Sequence, residues 1–470
     1  MTRGTKRQIA ALLAASALAL PGLAMAAPTR EVELAARLEQ LEAEMAALRA
    51  DLVAARSESG QAIAAAQAAS EQVQQAASRV AAVEARPAPA PAAPPEGFRN
   101  GNTTIRLGGY IKLIAASTRY SEGEVATNTL GRDFYLPQTI PVGNGPSSRV
   151  QDFTAKQSRF WLNFASDVAG HTVKGYLETD FQTAPGTQGT QRTTNGYNLA
   201  LRRAFMQFDR WTVGQDWTTF QYTGALPETT DYVGGSEGTV FVRQPLVRYS
   251  APLGQGLTLH VAAENPESAT ANAGSATLIE NGDDRLPDFA ARLAYAGKIG
   301  ELSLAGLARE VRVENAGTGD ATSGFGVSAA GKVFLSDDKV SDLRFMATWG
   351  HNIGHYVGLN FAPDAVFNPA TGKLSTVENL ALLGALRVAV APGVRVNVMG
   401  SWQKVDYAKG LTLAQIGTFN REAWSVAGNL FWSPMKNVDL GIEYRHGSRE
   451  LVNGQGDKLD RMEFAAKYSF

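Results

Sequence analysis

Apolar and polar residues alternate with a period of two through most of the chain from Thr103 to Phe470. That period puts successive side chains on opposite faces of a strand. The terminal segment shows the frame most clearly. Met462, Phe464, Ala466, Tyr468 and Phe470 fall on one face, and Arg461, Glu463, Ala465, Lys467 and Ser469 on the other. Phe160, Leu162 and Phe164 likewise oppose Arg159 and Asn163, and Leu343, Phe345, Ala347 and Trp349 oppose Arg344 and Thr348. Sixteen strands are predicted, at 103–117, 154–168, 171–183, 197–209, 211–217, 239–250, 257–264, 288–297, 300–314, 321–336, 339–351, 376–391, 393–408, 418–433, 436–449 and 457–470. Tight connections such as Ala169-Gly170, Pro252–Gly256 and Pro392-Gly393 alternate with long polar ones at 119–153, 184–196, 265–287, 352–376 and 450–456.

An even number of antiparallel strands, with short turns at one end and long loops at the other, defines an all-β transmembrane barrel. A soluble sandwich strand also alternates, so the pattern leaves open whether the apolar face meets a core or lipid. Size separates the two. A soluble core this long splits into domains, and no linker interrupts these strands. Closure into one barrel also removes every exposed edge.

Upstream the period changes. Leu34, Leu38, Leu41, Met45, Leu48 and Leu52 recur at spacings of 4 and 3, and the frame continues through Val73, Val80 and Val83. This predicts an α-helical coiled coil over 27–86, with a weaker Ala-rich second half. A Pro/Ala-rich linker, extended and semi-rigid, follows at 87–100. The barrel is expected over 101–470. Residues 1–26 read as a signal peptide: Arg3, Lys6 and Arg7, an apolar run from Ile9 to Leu20, then Ala24-Met25-Ala26.

Composition removes several function classes. There is no cysteine, so thiol catalysis and thiolate metal sites are excluded. A formal net charge of -1 argues against nucleic acid as a partner. His351 and His355 have a metal-binding spacing only on a helix, and they fall in a Gly-rich strand end. No catalytic residue, metal or cofactor is expected.

The charged faces carry the candidate chemistry. If they point inward, the lumen receives Arg106, Lys112, Arg159, Lys174, Arg248, Arg292, Arg344, Arg387, Arg395, Arg445, Arg461 and Lys467, against Glu178, Asp180, Asp288, Asp439, Glu443 and Glu463. A confined basic lumen concentrates anions. Arg243 and Arg248 lie five apart, so a bulge near Gln244-Pro245 is expected to turn both inward. Arg202 and Arg203 are adjacent, so a regular strand admits one of them. Arg203 represents the pair in the candidate set. The connection at about 217–238 carries Glu228, Asp231 and Glu237. Folded inward, it would set these acids across from the basic wall. Tyr120, Trp161, Trp211, Trp217, Trp349, Trp402, Trp432 and Tyr468 are candidates for interfacial girdles.

The motifs Leu107-Gly108-Gly109-Tyr110-Ile111-Lys112, Gln157-Ser158-Arg159-Phe160, Leu201-Arg202-Arg203-Ala204-Phe205, Val213-Gly214-Gln215-Asp216-Trp217 and Arg243-Gln244-Pro245-Leu246-Val247-Arg248-Tyr249 stand in this order. With the leader, heptad helix and linker, the chain resembles the DcaP-like porins of the bacterial outer membrane. That resemblance implies a homotrimeric barrel with an inward constriction loop, a periplasmic helical extension, and passive uptake of anions such as dicarboxylates. It implies that Arg159, Arg243 and Arg248 stand at the constriction. The partners expected are the lipid bilayer and lipopolysaccharide, the barrel-assembly machinery through Phe470, and peptidoglycan through the coil. The rival classes are a barrel enzyme of lipase or esterase type and an envelope tether with a plugged barrel.

Overall fold

The computed structural model describes residues 97–470 apart from 144, 183–195 and 316. The segments read as signal peptide and coiled coil, and most of the one read as linker, therefore lie outside the described residues.

Sixteen strands form the wall. They are β1 (Thr103–Tyr120), β2 (in two pieces, Ser148–Thr154 and Arg159–Val168), β3 (His171–Asp180), β4 (Ala200–Phe208), β5 (Trp211–Trp217), β6 (Arg243–Gly254), β7 (Leu257–Glu264) and β8 (Asp288–Ala296). The remainder are β9 (Gly300–Asn315), β10 (Thr318–Phe334), β11 (Asp342–His351), β12 (Lys373–Ala391), β13 (Val394–Tyr407), β14 (Asn420–Met435), β15 (Val438–Leu451) and β16 (Gly456–Ser469). Each pairs antiparallel with its neighbour. β1 pairs with β16 from Tyr110↔Ser469 to Tyr120↔Leu459, which closes the barrel. Beyond that ladder, Gly109 and Phe470 exchange two backbone hydrogen bonds at 3.2 and 3.0 Å.

The tight turns are built by residues that tolerate positive φ. Ala169 and Gly170 sit at φ 52° and 87°, and Gln255 and Gly256 at 52° and 81°. Two successive positive φ values make the twist that joins adjacent strands without splaying them. The long-loop end carries extra structure that the alternation did not reveal. Ala269–Asn272 pairs with Leu278–Glu280 and with Ala365–Asn368, a small sheet over that end. A short strand, Phe98–Asn100, also pairs back onto β1 inside the range read as linker.

The frame has one sense throughout. Leu107, Ile111, Leu177, Leu304, Val327, Leu382, Val398, Ile442 and Phe464 are exposed on the outside, while Asp180, Asp288, Asp342, Arg309, Glu443 and Arg461 are buried inside. Apolar groups outward and charges inward is the arrangement of a membrane barrel. Among the described residues no helix is long and apolar enough to cross a membrane, so the strands supply the crossing.

Three girdle candidates point the other way. Trp161 packs edge-on against Tyr110 at 6.2 Å on the lumen face, Trp217 packs against Phe241 at 4.7 Å, and Tyr120 is 1% exposed beside Tyr135. Trp211, Trp349, Trp432 and Tyr468 are exposed on the outer face.

Candidate pore constriction

One side of the lumen is a ladder of arginines interleaved with carboxylates. Arg159 opens the second piece of β2 and lies between Tyr110 of β1 and Asp180 of β3. Its guanidinium reaches Glu178 at 3.0 Å and Asp180 at 2.7 Å. Asp180 also binds Arg202 at 2.6 Å. Arg203 reaches Asp216 at 2.6 Å and Glu178 at 3.7 Å, and Asp216 also pairs with Arg248. Arg243 and Arg292 complete this side, and among the described residues no carboxylate ion pair involves either. Arg243 instead stacks 4.4 Å over Trp217 and donates to Tyr232 Oη at 3.1 Å, while Arg292 donates to the Gln221 carbonyl. Arg243 Nη1 and Arg292 Nε are buried with no hydrogen-bond partner.

The irregularity that serves this ladder is not where the proline suggested. The β5–β6 register runs unbroken through Asp216↔Gln244 and Gln215↔Pro245. Pro245 fits because the β6–β7 ladder begins only at Leu246↔Glu264, so its missing N–H falls beyond the ladder's end. On β6 the register shifts instead between Pro252 and Gly254. Arg243 reaches Tyr232 from the first residue of its strand. The bulge that matters lies on β4. Glu178 pairs with Arg203 and Thr179 with Leu201, leaving Arg202 as the extra residue. Both adjacent arginines therefore serve the lumen, where a regular strand would admit one.

The other side is charge-balanced. Arg344 and Arg387 share Asp342 at 2.7 Å each. Arg395 binds Glu228 at 2.8 Å and Asp439 at 3.0 Å, and Lys467 binds Asp439 at 2.9 Å. Arg445 pairs with Glu443 and Arg461 with Glu463, at 2.8 and 2.6 Å. Lys112 donates to Gln157 Oε1 and to the Asp231 carbonyl, both at 2.9 Å. Arg106 lies opposite Asn163 toward the short-turn end and is exposed.

The segment between β5 and β6 folds into the lumen and is fastened there. Thr229 Oγ1 donates to Glu443 at 2.7 Å, Thr230 Oγ1 to Glu463 at 2.9 Å, and Arg344 to the Leu226 carbonyl. Its glycines permit the close approach. A Cβ on Gly235 would stand 2.1 Å from Ser401 Oγ, and one on Gly238 would stand 2.3 Å from the Leu382 carbonyl oxygen.

Its acids, however, do not face the arginine ladder. Glu228 turns to Arg395, Glu237 accepts from Ser401 Oγ at 2.8 Å, and Asp231 Oδ1 accepts from the Val233 and Gly234 amides at 3.0 and 2.8 Å. Buried carboxylates need such partners, and the far wall and the loop itself provide them. What the loop offers the ladder is Tyr232, whose ring lies 4.7 Å from the Arg159 guanidinium, 5.6 Å from Arg202 and 6.0 Å from Arg243.

Sequence reasoning missed Asp216, Glu264, Asp342 and Arg309. Asp216 and Asp342 follow the inward frame of their own strands, Thr212 and Arg344 included, so that signal was present. Arg309 is fully buried between Asp288 at 3.2 Å and Asp364 at 2.8 Å. It was hidden because both faces of β9 read as apolar: Leu302, Leu304 and Ala308 against Ala305, Leu307 and Val311. Among the described residues no group of His, Cys, Asp or Glu could hold a metal. His351 packs against Phe325 and Trp349, whereas His355 lies beside Gln244 Oε1 at 3.3 Å. Burial pushes His355 down to about 3, which keeps it neutral.

A closed barrel with an apolar exterior, a charged interior and an inward-folded loop defines a membrane channel of the porin class. The sequence matches the family model for the DcaP outer membrane protein over residues 99–470, and the chain belongs to that family. It is similar to the crystal structure of the outer membrane channel DcaP of Acinetobacter baumannii, with 24% identity and a TM-score of 0.65, covering 80% of this chain and 99% of that one. More distant likenesses are OmpT of Vibrio cholerae lacking loop L8 (9% identity, TM-score 0.48, 78% of this chain and 100% of that one) and an anion-selective porin from Comamonas acidovorans (12%, 0.46, 78% and 100%). None of the curated proteins matches.

Proposed function

We propose that the chain is a passive diffusion channel that favours small anions, dicarboxylates among them, and passes them along the ladder of Arg159, Arg202, Arg203, Arg243, Arg248 and Arg292. One observation carries this reading: those guanidiniums are interleaved with three carboxylates, Glu178, Asp180 and Asp216, and Arg243 Nη1 and Arg292 Nε remain without a hydrogen-bond partner. A fixed excess of positive charge in a narrow lumen raises the local anion concentration. Guanidinium forks also match carboxylates bidentately. A diacid would hand one carboxylate forward while the other stays held. The far wall contributes less, because Arg344 and Arg387 are paired with Asp342 and Lys112 is held by Gln157 and the Asp231 carbonyl; Arg106 stands exposed at the mouth.

The same reading takes the barrel as one subunit of a homotrimer, with the coiled coil in the periplasm beside peptidoglycan and Phe470 as the signal to the assembly machinery. Reversal potential in a KCl gradient across a planar bilayer tests the anion preference. A potential of the anion-permeable sign, and block of KCl current by millimolar succinate, are the outcomes expected. A cation-permeable sign would sink the proposal.

A further inference from the structure

A further basic group faces inward near the long-loop end, away from the ladder. Arg449 lies on β15 in the same frame as Glu443 and Arg445. It stands four residues beyond Arg445, about 13 Å further toward the loops. The residue is partly buried. Its Nε donates to Asn420 Oδ1 and its Nη1 to the Ile140 carbonyl, both at 2.7 Å. Among the described residues Nη2 donates to nothing, and no ion pair involves the guanidinium. Asp457 is the cross-strand neighbour of Arg449, but its Oδ2 accepts from the Glu122 amide at 2.8 Å. A partly buried cation without a counter-ion is costly, and this one is left for another anion to meet.

Arg449 also forms one wall of a cavity of about 210 Å³. The β1–β2 connection, the small sheet, the β11–β12 segment and the start of β14 supply the rest, with Leu278, Asn360, Phe361 and Phe419 among the lining residues. Phe361 and Phe419 are each 1% exposed and sit in an apolar core with Val366, Val377 and Ile416, so the floor is fixed. Leu278 packs against the same core. Ala276, also in the lining, is exposed, which leaves that side open to water. No acidic residue is among those lining the cavity. Asn360, at φ 64°, adds a side-chain amide whose nitrogen donates to nothing among the described residues. A cavity of about 150 Å³ holds a benzene ring, so this one has room for such a ring and a carboxylate beside it.

We propose that this cavity binds a small monocarboxylate with a ring-sized apolar body, its carboxylate on Arg449 and the Asn360 amide and its body against Phe361, Phe419 and Leu278. The carboxylate supplies the missing counter-charge through charge-assisted hydrogen bonds, and the phenylalanine floor takes the body out of water. A concave, mostly apolar site with a few convergent polar groups is the usual form of a small-molecule pocket. A diacid would have to bury its second carboxylate against the phenylalanines, without a partner, which opposes binding. The cavity thus selects ligands of a different kind from those that suit the ladder. The proposal goes beyond the channel reading and is independent of which ions the lumen passes.

The test is isothermal titration calorimetry of the folded full chain in detergent. The probes are benzoate, its uncharged isostere benzamide, and succinate. Benzoate should bind about tenfold tighter than benzamide, the worth of a hydrogen bond to a charged group. Equimolar succinate should leave benzoate binding unchanged. R449Q should lose the discrimination between benzoate and benzamide. Arg449 also fastens Asn420 and Ile140, so A276W serves as a second variant. It fills the cavity from the exposed side, leaves those two bonds in place, and should abolish binding of both ring ligands. R243Q alters the ladder and should leave benzoate binding as it is. Heat-shift electrophoresis establishes that each variant barrel is folded. Equal affinity for benzoate and benzamide overturns the proposal, as does undiminished benzoate binding by R449Q or A276W. Loss of benzoate binding in R243Q, or its displacement by equimolar succinate, would also overturn it by assigning the ligand to the ladder. An anion-selective chain that binds no benzoate would fail this proposal and leave the channel reading standing. A cation-selective chain that binds benzoate through Arg449 would do the reverse.

Discussion

Asp216 is the residue on which the charge of the ladder turns. Its two oxygens hold Arg203 and Arg248, so its neutralisation releases two guanidiniums into the lumen at once. D216N should raise the anion-to-cation permeability ratio about twofold or more, read as a larger reversal potential in the same KCl gradient. No change would mean that this part of the ladder lies off the conduction path. Residue-level reading of the sequence gives the strand face of Arg159, Arg248 and Arg292, because each sits in a clear period-two frame. It failed at Arg202-Arg203 because a bulge has no signature beyond the two adjacent charges themselves. It failed again at Pro245, where a proline at the end of a ladder looks the same in sequence as a proline at a bulge.

Among the elements, the inward loop between β5 and β6 is a fixture of the wall. The Thr229 and Thr230 hydroxyls donate to the buried Glu443 and Glu463, and the Thr230 hydroxyl is the loop's bond to Glu463 Oε2. Leaving a buried acceptor unmade costs about 1–3 kcal/mol. T229V/T230V should therefore loosen the loop, and single-channel records should show added open-state flicker with the barrel still heat-shifting on a gel. Quiet records would locate the fastening elsewhere, at Arg344 and Leu226. The strands themselves were legible: all sixteen predicted runs overlap a wall strand. The small sheet of Ala269–Asn272, Leu278–Glu280 and Ala365–Asn368 was not, because three- and four-residue strands are too short to show a period. Nor did loop composition reveal which wall Glu228 and Glu237 would meet. That choice is made by arginines and serines 160 or more positions away.

At the scale of the whole molecule, the barrel closes through the ladder of Tyr110–Tyr120 with Leu459–Ser469. Deleting 27–96 while keeping residues 1–26 should leave single-channel conductance unchanged, measured in the same bilayers as the full chain. A lost or altered conductance would show that the N-terminal segment takes part in the pore. The sequence indicated closure through the strand count and the absence of a linker. Which face met lipid became clear only from the placement of the charges, since alternation is symmetric between inside and outside.

Between Thr154 and Arg159 the wall departs from a regular ladder. There the Ser158 hydroxyl accepts from the Lys112 amide at 3.0 Å, and Phe181 donates to Lys156 O at 3.0 Å, in place of a regular ladder. A cylinder under thermal or mechanical load tears along its weakest seam, and a hydroxyl standing in for a peptide group marks one. Deuterium should therefore enter the amides of Lys112 and residues 155–158 before those of the central β13–β14 pair, and denaturation of the sheet should start its rip there.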